Sequence, residues 1–130
     1  MRRAVSFGFA GLIVVVLGRL AATGRLPRNL LAGIRIPATL RSDEAWRAGH
    51  QAAAAALTVA GCGPVTVAAV VATRQPGQKA QTVAYRLGTA WLLGWLGVAT
   101  VQASRAARAS QRSPGAGSAH PPAATGPESA

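Results

Sequence analysis

The chain has 130 residues, of which 50% are hydrophobic and only 13% are charged, whereas about 25% are charged in an ordinary soluble domain. The 14 Lys and Arg residues outnumber the 3 Asp and Glu residues and give a formal net charge of +11, which is typical of a protein that binds nucleic acid or an anionic membrane. Because the arginines are gathered between long uncharged runs, the pattern favours the membrane and argues against nucleic acid.

The first uncharged run, residues 4–18, predicts a membrane helix. As a helix it is about 22 Å long, and only an extension to residue 24 brings it to the ~30 Å of a hydrocarbon core. Arg19 then lies near the interface, where its guanidinium reaches the headgroups. A cleaved secretory signal peptide is the competing interpretation, with Arg2 and Arg3 as its basic start.

The second run, residues 51–73, is the longest uncharged segment and is long enough to cross a membrane. Nine of its residues are alanine and only one is leucine, so we expect neighbouring helices to assist its insertion. Small residues recur every four positions at Ala52, Ala56 and Ala60, and this ladder allows another helix to approach closely. Pro64 is expected to kink this helix rather than end it. A buried helix of a small soluble fold is the competing interpretation.

The third run, residues 87–104, predicts a further membrane helix. Trp91 and Trp95 fall on one face of this helix, and Ala90 and Gly94 form a second pair of small residues. Packing against another helix accounts for both pairs.

The sequence beyond the third run is rich in Pro, Gly, Ser and Ala and has no apolar periodicity. This composition predicts a disordered basic tail over residues 105–130. Arg105, Arg108 and Arg112 follow the third run directly, and we expect them to contact anionic headgroups.

These runs predict an all-α fold, namely a small polytopic membrane protein with three transmembrane helices, an ordered loop between the first two and a disordered C-terminal tail. The predicted spans cover residues 4–24, 51–73 and 80–104, and the loop covers residues 25–50. With the C-terminus inside, nine arginines lie on the cytoplasmic side and five Lys and Arg residues lie outside. The positive-inside rule therefore predicts a multi-pass plasma-membrane protein whose loop and C-terminus are cytoplasmic.

The second half of the loop has the pattern of a helix start. Ser42 can accept hydrogen bonds from the exposed amides of the first turn, and Asp43 and Glu44 complement the positive end of the helix dipole. No strong stop signal follows before the second span, so we expect one continuous helix from Asp43. Trp46 and His50 then share a face, with Trp46 as an anchor at the headgroups.

The first half of the loop has no helical pattern and is predicted to be an ordered loop. Gly33 supplies a positive φ or a close approach, and Pro37 biases Ile36 towards an extended backbone. Asn29 and Thr39 offer side-chain hydrogen bonds to the local backbone.

A family pattern is carried by eight loop residues, Asn29, Gly33, Arg35, Pro37, Thr39, Ser42, Trp46 and His50. Together with the flanking spans they resemble the SdpI family, whose loop has this spacing between its first two membrane helices. The likeness covers roughly residues 4–104. Ile36 stands where the family usually has threonine, so a contact made by that hydroxyl is not expected here.

The resemblance implies a bacterial plasma-membrane protein. The founding member of the family is an immunity protein that protects a bacterium from its own secreted killing peptide and sequesters a transcriptional repressor at the membrane. By this likeness the expected partners are a membrane-active peptide toxin and a cytoplasmic regulator protein, with the eight loop residues as candidate contacts. The lipid bilayer and a second copy of the chain, held through small-residue helix faces, are further expected partners.

Catalytic and metal chemistry lack the residues that they need. Asp43, Glu44 and His50 are the only candidates for acid–base catalysis near one another, and helical phase separates them. His50 alone cannot hold a metal, and a histidine hydrogen-bonded to the loop backbone is the simpler interpretation. Cys62 is expected to be a small buried apolar residue. We predict no cofactor and no enzyme, but a binding and signalling module or, alternatively, a structural accessory subunit of a transporter or envelope complex.

Overall fold

A computed structural model describes residues 1–26 and 34–112, and the regular structure within these ranges is helical throughout. The helices are α1 (Arg2–Ala22), α2 (Pro37–Leu40), α3 (Asp43–Arg74) and α4 (Gln78–Arg112). The predicted all-α class is confirmed for this part of the chain. The candidate residues Asn29 and Gly33 lie outside the described residues.

Helix α3 lies between α1 and α4 and packs against both. On the α1 side, Gly8 faces Ala68 and Gly18 faces Thr58, so the two helices run antiparallel. A short turn then reverses the chain between α3 and α4, and in it Gln75 adopts a left-handed backbone with φ 43°. All three long helices therefore lie side by side in alternating directions.

This arrangement gives the molecule two ends. The motif end contains α2, the start of α3 and the last turns of α4, and α2 packs against both of these helices. The distal end contains the start of α1, the end of α3 and the start of α4. The described residues of the family pattern therefore lie at one end of the molecule.

Glycines bring α1 and α3 into backbone contact. A Cβ atom built on Gly11 would lie 2.6 Å from the carbonyl oxygen of Gly61 and 2.8 Å from Cβ of Pro64. A Cβ atom on Gly18 would lie 2.6 Å from Oγ1 of Thr58. Because no side chain fits between the backbones at these positions, the two helices approach at a distance that only glycine allows.

The predicted ladder of Ala52, Ala56 and Ala60 is correct only in part. Ala56 and Ala60 are buried, and helical phase places them on the face of Gly49, which contacts α4. Ala52 is exposed. Steps of four residues drift around an α-helix by about 40° each, so the first alanine of the ladder has turned out of the contact.

Pro64 lies inside α3, which continues to Arg74 as predicted. One turn before the proline, the carbonyl oxygen of Val59 accepts a hydrogen bond from Nε1 of Trp91 at 2.9 Å, which ties α4 to α3. Cys62 is exposed, so its predicted burial is wrong. It lines an open groove between α3 and α4, together with Leu87 and Trp91, so α4 does not cover it completely.

Two of the described helices, α1 and α3, are long and apolar enough to cross a membrane by length and composition alone. They correspond to the first and second predicted spans. Helix α4 is long enough but is not apolar enough on average to be counted with them, because tryptophans, glycines and Gln102 lower the mean hydropathy of its middle. The third span therefore stays a prediction.

Helix α4 extends to Arg112, two turns beyond the predicted end of the third span. The predicted tail therefore begins too early, since residues 105–112 are helical. Ala103 and Ala107 are fully buried at the motif end, and this packing prolongs the helix beyond its apolar run. Residues 113–130, on which the rest of the tail prediction falls, lie outside the described residues.

Candidate functional site

Trp46 and His50 form the centre of the motif end. They lie one turn apart near the start of α3, with 4.0 Å between the ring centroids, and each side chain is only 1% exposed. The predicted shared face is confirmed. The predicted position of Trp46 among the headgroups is wrong, because its indole Nε1 donates to the carbonyl oxygen of Leu26 at 3.1 Å inside the protein.

Both ring nitrogens of His50 bond to backbone. The amide of Ile34 donates to Nε2 at 2.8 Å, so Nε2 is the acceptor and the proton is carried by Nδ1. Nδ1 lies 2.8 Å from the carbonyl oxygen of Trp46 and donates to it. The prediction of a histidine hydrogen-bonded to the loop backbone is confirmed, and in this pairing its imidazole is neutral.

The two stacked rings hold the chain on either side of residues 27–33. Trp46 holds Leu26, four residues after the last residue of α1. His50 holds Ile34, three residues before the start of α2. One turn of α3 therefore fixes both the entrance and the exit of the segment that contains Asn29 and Gly33.

Burial lowers the pKa of His50 below its ordinary value of 6.5, because the charged ring would lose its hydration, and the bond to the Trp46 carbonyl only partly opposes this effect. His50 precedes the uncharged run 51–73, so it lies outside the predicted span. A second ring proton would occupy Nε2 and end the hydrogen bond from Ile34.

We expect the folded chain to lose stability as the pH falls below about 6.5. In that range the unfolded chain takes up a proton that the buried His50 ring excludes, so the free energy of unfolding falls by at most about 1.4 kcal/mol per pH unit. At higher pH the ring is neutral in both states and contributes no slope. Thermal unfolding of the purified chain from about pH 8 to about pH 5 measures this dependence.

The matched variants are His50→Gln, whose amide oxygen keeps an acceptor for Ile34, and His120→Gln, which changes the second histidine of the chain, in the predicted tail. The first should flatten the dependence of stability on pH, and the second should leave it unchanged. A slope that survives in His50→Gln would show that another group is responsible.

Thr39 joins the site from α2. Its hydroxyl donates to the carbonyl oxygen of Ile34 at 2.8 Å, and its oxygen accepts from the amide of Ile36 at 3.3 Å. The predicted bonds from this side chain to local backbone are confirmed, and Thr39 is fully buried. Ile36 is extended, with φ −111° and ψ 155°, as Pro37 predicts.

The short helix α2 occupies a stretch that was predicted to be a loop without helical structure. Pro37 is its first residue, a position where the missing amide hydrogen costs nothing and the ring presets φ. Thr39 closes the turn by bonding to the residue before the helix. Four residues are too few to produce a helical hydrophobic pattern, which explains why periodicity missed them.

Helix α3 begins as predicted. The Oγ atom of Ser42 accepts from the amide of Ala45 at 3.1 Å, and Asp43 and Glu44 occupy the first turn. The helix continues without a break into the uncharged run. Trp46 and His50 are therefore placed by a cap that lies a few residues before them.

The last turns of α4 hold α2 against α3. Gln111 accepts from Nη1 of Arg41 at 3.1 Å and donates through Nε2 to the carbonyl oxygen of Ala38 at 3.1 Å. A Cβ atom built on Gly49 would lie 2.8 Å from Cγ2 of Thr39, so α2 also packs directly on α3. Gln111 was not predicted from the sequence, although Ala99, Ala103 and Ala107 lie at four-residue steps on the buried face that leads to it.

Replacing Gln111 with alanine is expected to loosen α2 while the three long helices stay in place. Two hydrogen bonds are lost, and each is worth about 0.5–1.5 kcal/mol. Hydrogen exchange of residues 34–41 should accelerate about tenfold, with little change in α1. Gln102→Ala, at an exposed position of the same helix, is the control. Equal exchange in both variants would contradict the role of Gln111.

The site contains both buried residues and exposed residues. Thr39, Trp46 and His50 are buried and bond to backbone. Arg35 and Arg47 are exposed at the same end. Of the candidate residues with described positions, Arg35, Pro37 and Ser42 are the exposed ones.

The motif end exposes charged side chains, including Arg35 and Arg47. Neither ring nitrogen of His50 is available as a general base in this geometry. Within residues 1–26 and 34–112 no three His, Cys, Asp or Glu side chains come close enough to hold a metal ion. That the chain is not an enzyme stays a prediction.

Comparison with known proteins gives one match. A sequence model described as the SdpI/YfhL protein family matches residues 25–103, which is more than half of the chain. The matched region includes the loop, α2, α3 and most of α4. No curated protein and no solved structure matched the chain.

Proposed function

The chain belongs to the SdpI/YfhL protein family, and from this membership we propose that it is an immunity and signalling protein of the bacterial plasma membrane. In this proposal it protects against, or senses, a membrane-active peptide and captures a regulator protein at its cytoplasmic face. The observation that carries the proposal is the loop held on both sides by Trp46 and His50. Because Leu26 and Ile34 are already fixed, binding a partner would not have to order these two residues.

The proposal includes a third membrane span in α4. Its segment between Arg86 and Arg105 is about 27 Å long as a helix, close to the ~30 Å of a hydrocarbon core. Large apolar side chains are exposed along it, including Leu87, Leu93 and Val98. Two of its small residues, Gly88 and Ala99, are buried, and Gly88 faces Phe7 of α1 and Val67 of α3. The average composition of α4 therefore includes residues that do not face lipid.

Cysteine accessibility in intact cells tests the predicted topology. In a Cys62→Ala background, Glu44→Cys and Gln78→Cys place single thiols at exposed positions of the motif end and the distal end. A membrane-impermeant reagent should label Gln78→Cys alone. Labelling of Glu44→Cys would place the loop outside the cell and overturn capture of a cytoplasmic regulator.

Protection is tested in sensitive bacteria that express the chain and are challenged with the killing peptide that the family's founding member neutralises. Expression of the chain should raise at least about tenfold the peptide concentration that depolarises the membrane. The double variant Arg35→Gln with Arg47→Gln should remove this protection. Arg74→Gln with Lys79→Gln is the matched control, because it removes the same charge from exposed positions of the distal end. Unchanged sensitivity in cells with correctly inserted chain would overturn the proposal.

The accessory-subunit alternative is favoured by one observation on α4. Ala90 is exposed, and a Cβ atom built on Gly94 would meet no atom within 4 Å. Small exposed residues of this kind let a second membrane helix approach closely. If Gly94→Leu removes the activity while the Arg35 and Arg47 variants keep it, this alternative replaces the loop-based one.

A further inference from the structure

The distal end contains a polar cavity that the loop-based function does not use. It has a volume of about 560 Å³ and lies where the start of α1, the end of α3 and the start of α4 meet. Its lining residues include Arg2, Arg3, Val71, Gln75, Gln81 and Tyr85. This volume falls in the range of about 300–1,000 Å³ that is typical of small-molecule sites.

An apolar groove adjoins this cavity. It has a volume of about 440 Å³, runs between α1 and α3, and shares Met1, Ala4 and Ala72 with the polar cavity. Its other lining residues include Val5, Phe9, Leu12, Val65 and Ala69. Val5, Phe9 and Leu12 are exposed, so the groove opens on the side of α1 that faces lipid when α1 spans the membrane.

The charges around the cavity favour an anion. Arg2 and Arg3 line it, and neither α1 nor α4 has an acidic residue in its first turn, so the positive helix ends are not neutralised. In the part of the chain that the structure describes, the two carboxylates, Asp43 and Glu44, both lie at the motif end. An anionic group at the distal end therefore meets no described negative charge.

We propose that the distal end binds one anionic phospholipid, with its phosphate at Arg2 and Arg3 and one acyl chain in the groove between α1 and α3. A cationic cavity continuous with a lipid-facing apolar groove matches the two parts of such a molecule. A water-soluble anion uses only the cavity. The site is independent of the proposed function, because it shares no residue with the motif end.

Native mass spectrometry of the purified full chain tests the proposal with phosphatidylglycerol and phosphatidylcholine of the same acyl chains. Phosphatidylglycerol should bind at least about fivefold more tightly. Arg2→Gln with Arg3→Gln should weaken its binding about tenfold and leave phosphatidylcholine unchanged. Arg74→Gln with Lys79→Gln removes the same charge at the same end outside the cavity lining and should have little effect.

The variant Ala69→Phe tests whether an acyl chain binds in the groove between α1 and α3. The added ring fills the groove from an exposed position and leaves Arg2 and Arg3 in place. This variant should weaken the binding of phosphatidylglycerol and leave the binding of glycerol phosphate, the headgroup alone, unchanged. Three results would overturn the proposal. They are equal binding of the two lipids, an equal loss of phosphatidylglycerol binding in the Arg2/Arg3 and Arg74/Lys79 double variants, and unaltered phosphatidylglycerol binding in Ala69→Phe. Thermal unfolding confirms that each variant is folded.

Discussion

Replacing Gly61 with leucine is expected to separate α1 from α3 and to cost about 3 kcal/mol or more. A Cβ atom at this position would lie 2.7 Å from the backbone nitrogen and from Cγ2 of Val15, and it would also overlap the carbonyl oxygen of Gly11. Backbone atoms on the facing helix cannot move away as a flexible side chain can. Thermal unfolding in detergent, with cross-linking between α1 and α3, measures the loss.

The paired control uses alanine, so that helix propensity is the same in both variants. Gly94→Ala adds a methyl group where no atom lies within 4 Å and should be neutral or stabilise by up to about 1 kcal/mol. Gly61→Ala should destabilise in spite of the same gain in propensity. Equal stability of the two variants would mean that the contact between Gly61 and Gly11 does not limit the packing of the helices.

Replacing Trp46 with alanine is expected to cost about 3–5 kcal/mol of stability and to release the loop. The substitution removes a fully buried ring, its stacking on His50 and the hydrogen bond to Leu26. Because His50 remains, Ile34 should stay bonded while Leu26 is released. Hydrogen exchange should therefore accelerate more at residues 23–26 than at residues 34–36.

Trp46→Phe separates the two contributions of this side chain. Phenylalanine keeps most of the apolar contact but cannot donate to the Leu26 carbonyl, and an unpaired buried acceptor costs about 1–3 kcal/mol. Its stability should fall between those of the original chain and Trp46→Ala. If Trp46→Phe is as stable as the original chain, the hydrogen bond does not contribute to holding the loop.

A consequence for function follows from the burial of these rings. Trp46 and His50 are predicted to act by contact with a partner or by conformational coupling, and in the structure they lie inside the protein and bond to its own backbone. Substituting them is expected to impair function by altering the loop, whereas the exposed arginines carry the contact surface only in the proposed function. Loss of function in a Trp46 variant therefore has to be read together with its stability.

Local features of the sequence predicted local structure well. The Ser42 cap, the continuous helix from Asp43 and the extended backbone of Ile36 each depend on residues that are close in the chain. The shared face of Trp46 and His50 follows from a spacing of four residues in a helix. For the same reason the bonds from Thr39 to neighbouring backbone could be predicted without knowledge of the fold.

The helical class, the apolar runs of α1 and α3, and the family of the chain could be predicted from the amino-acid sequence, because composition, periodicity and residue spacing are properties of the chain alone. Which faces are buried depends on the tertiary structure. It buried Trp46, exposed Cys62 and brought Gln111 onto α2. These outcomes depend on where α1 and α4 pack against α3, and a helical pattern specifies a face without specifying the neighbour that covers it.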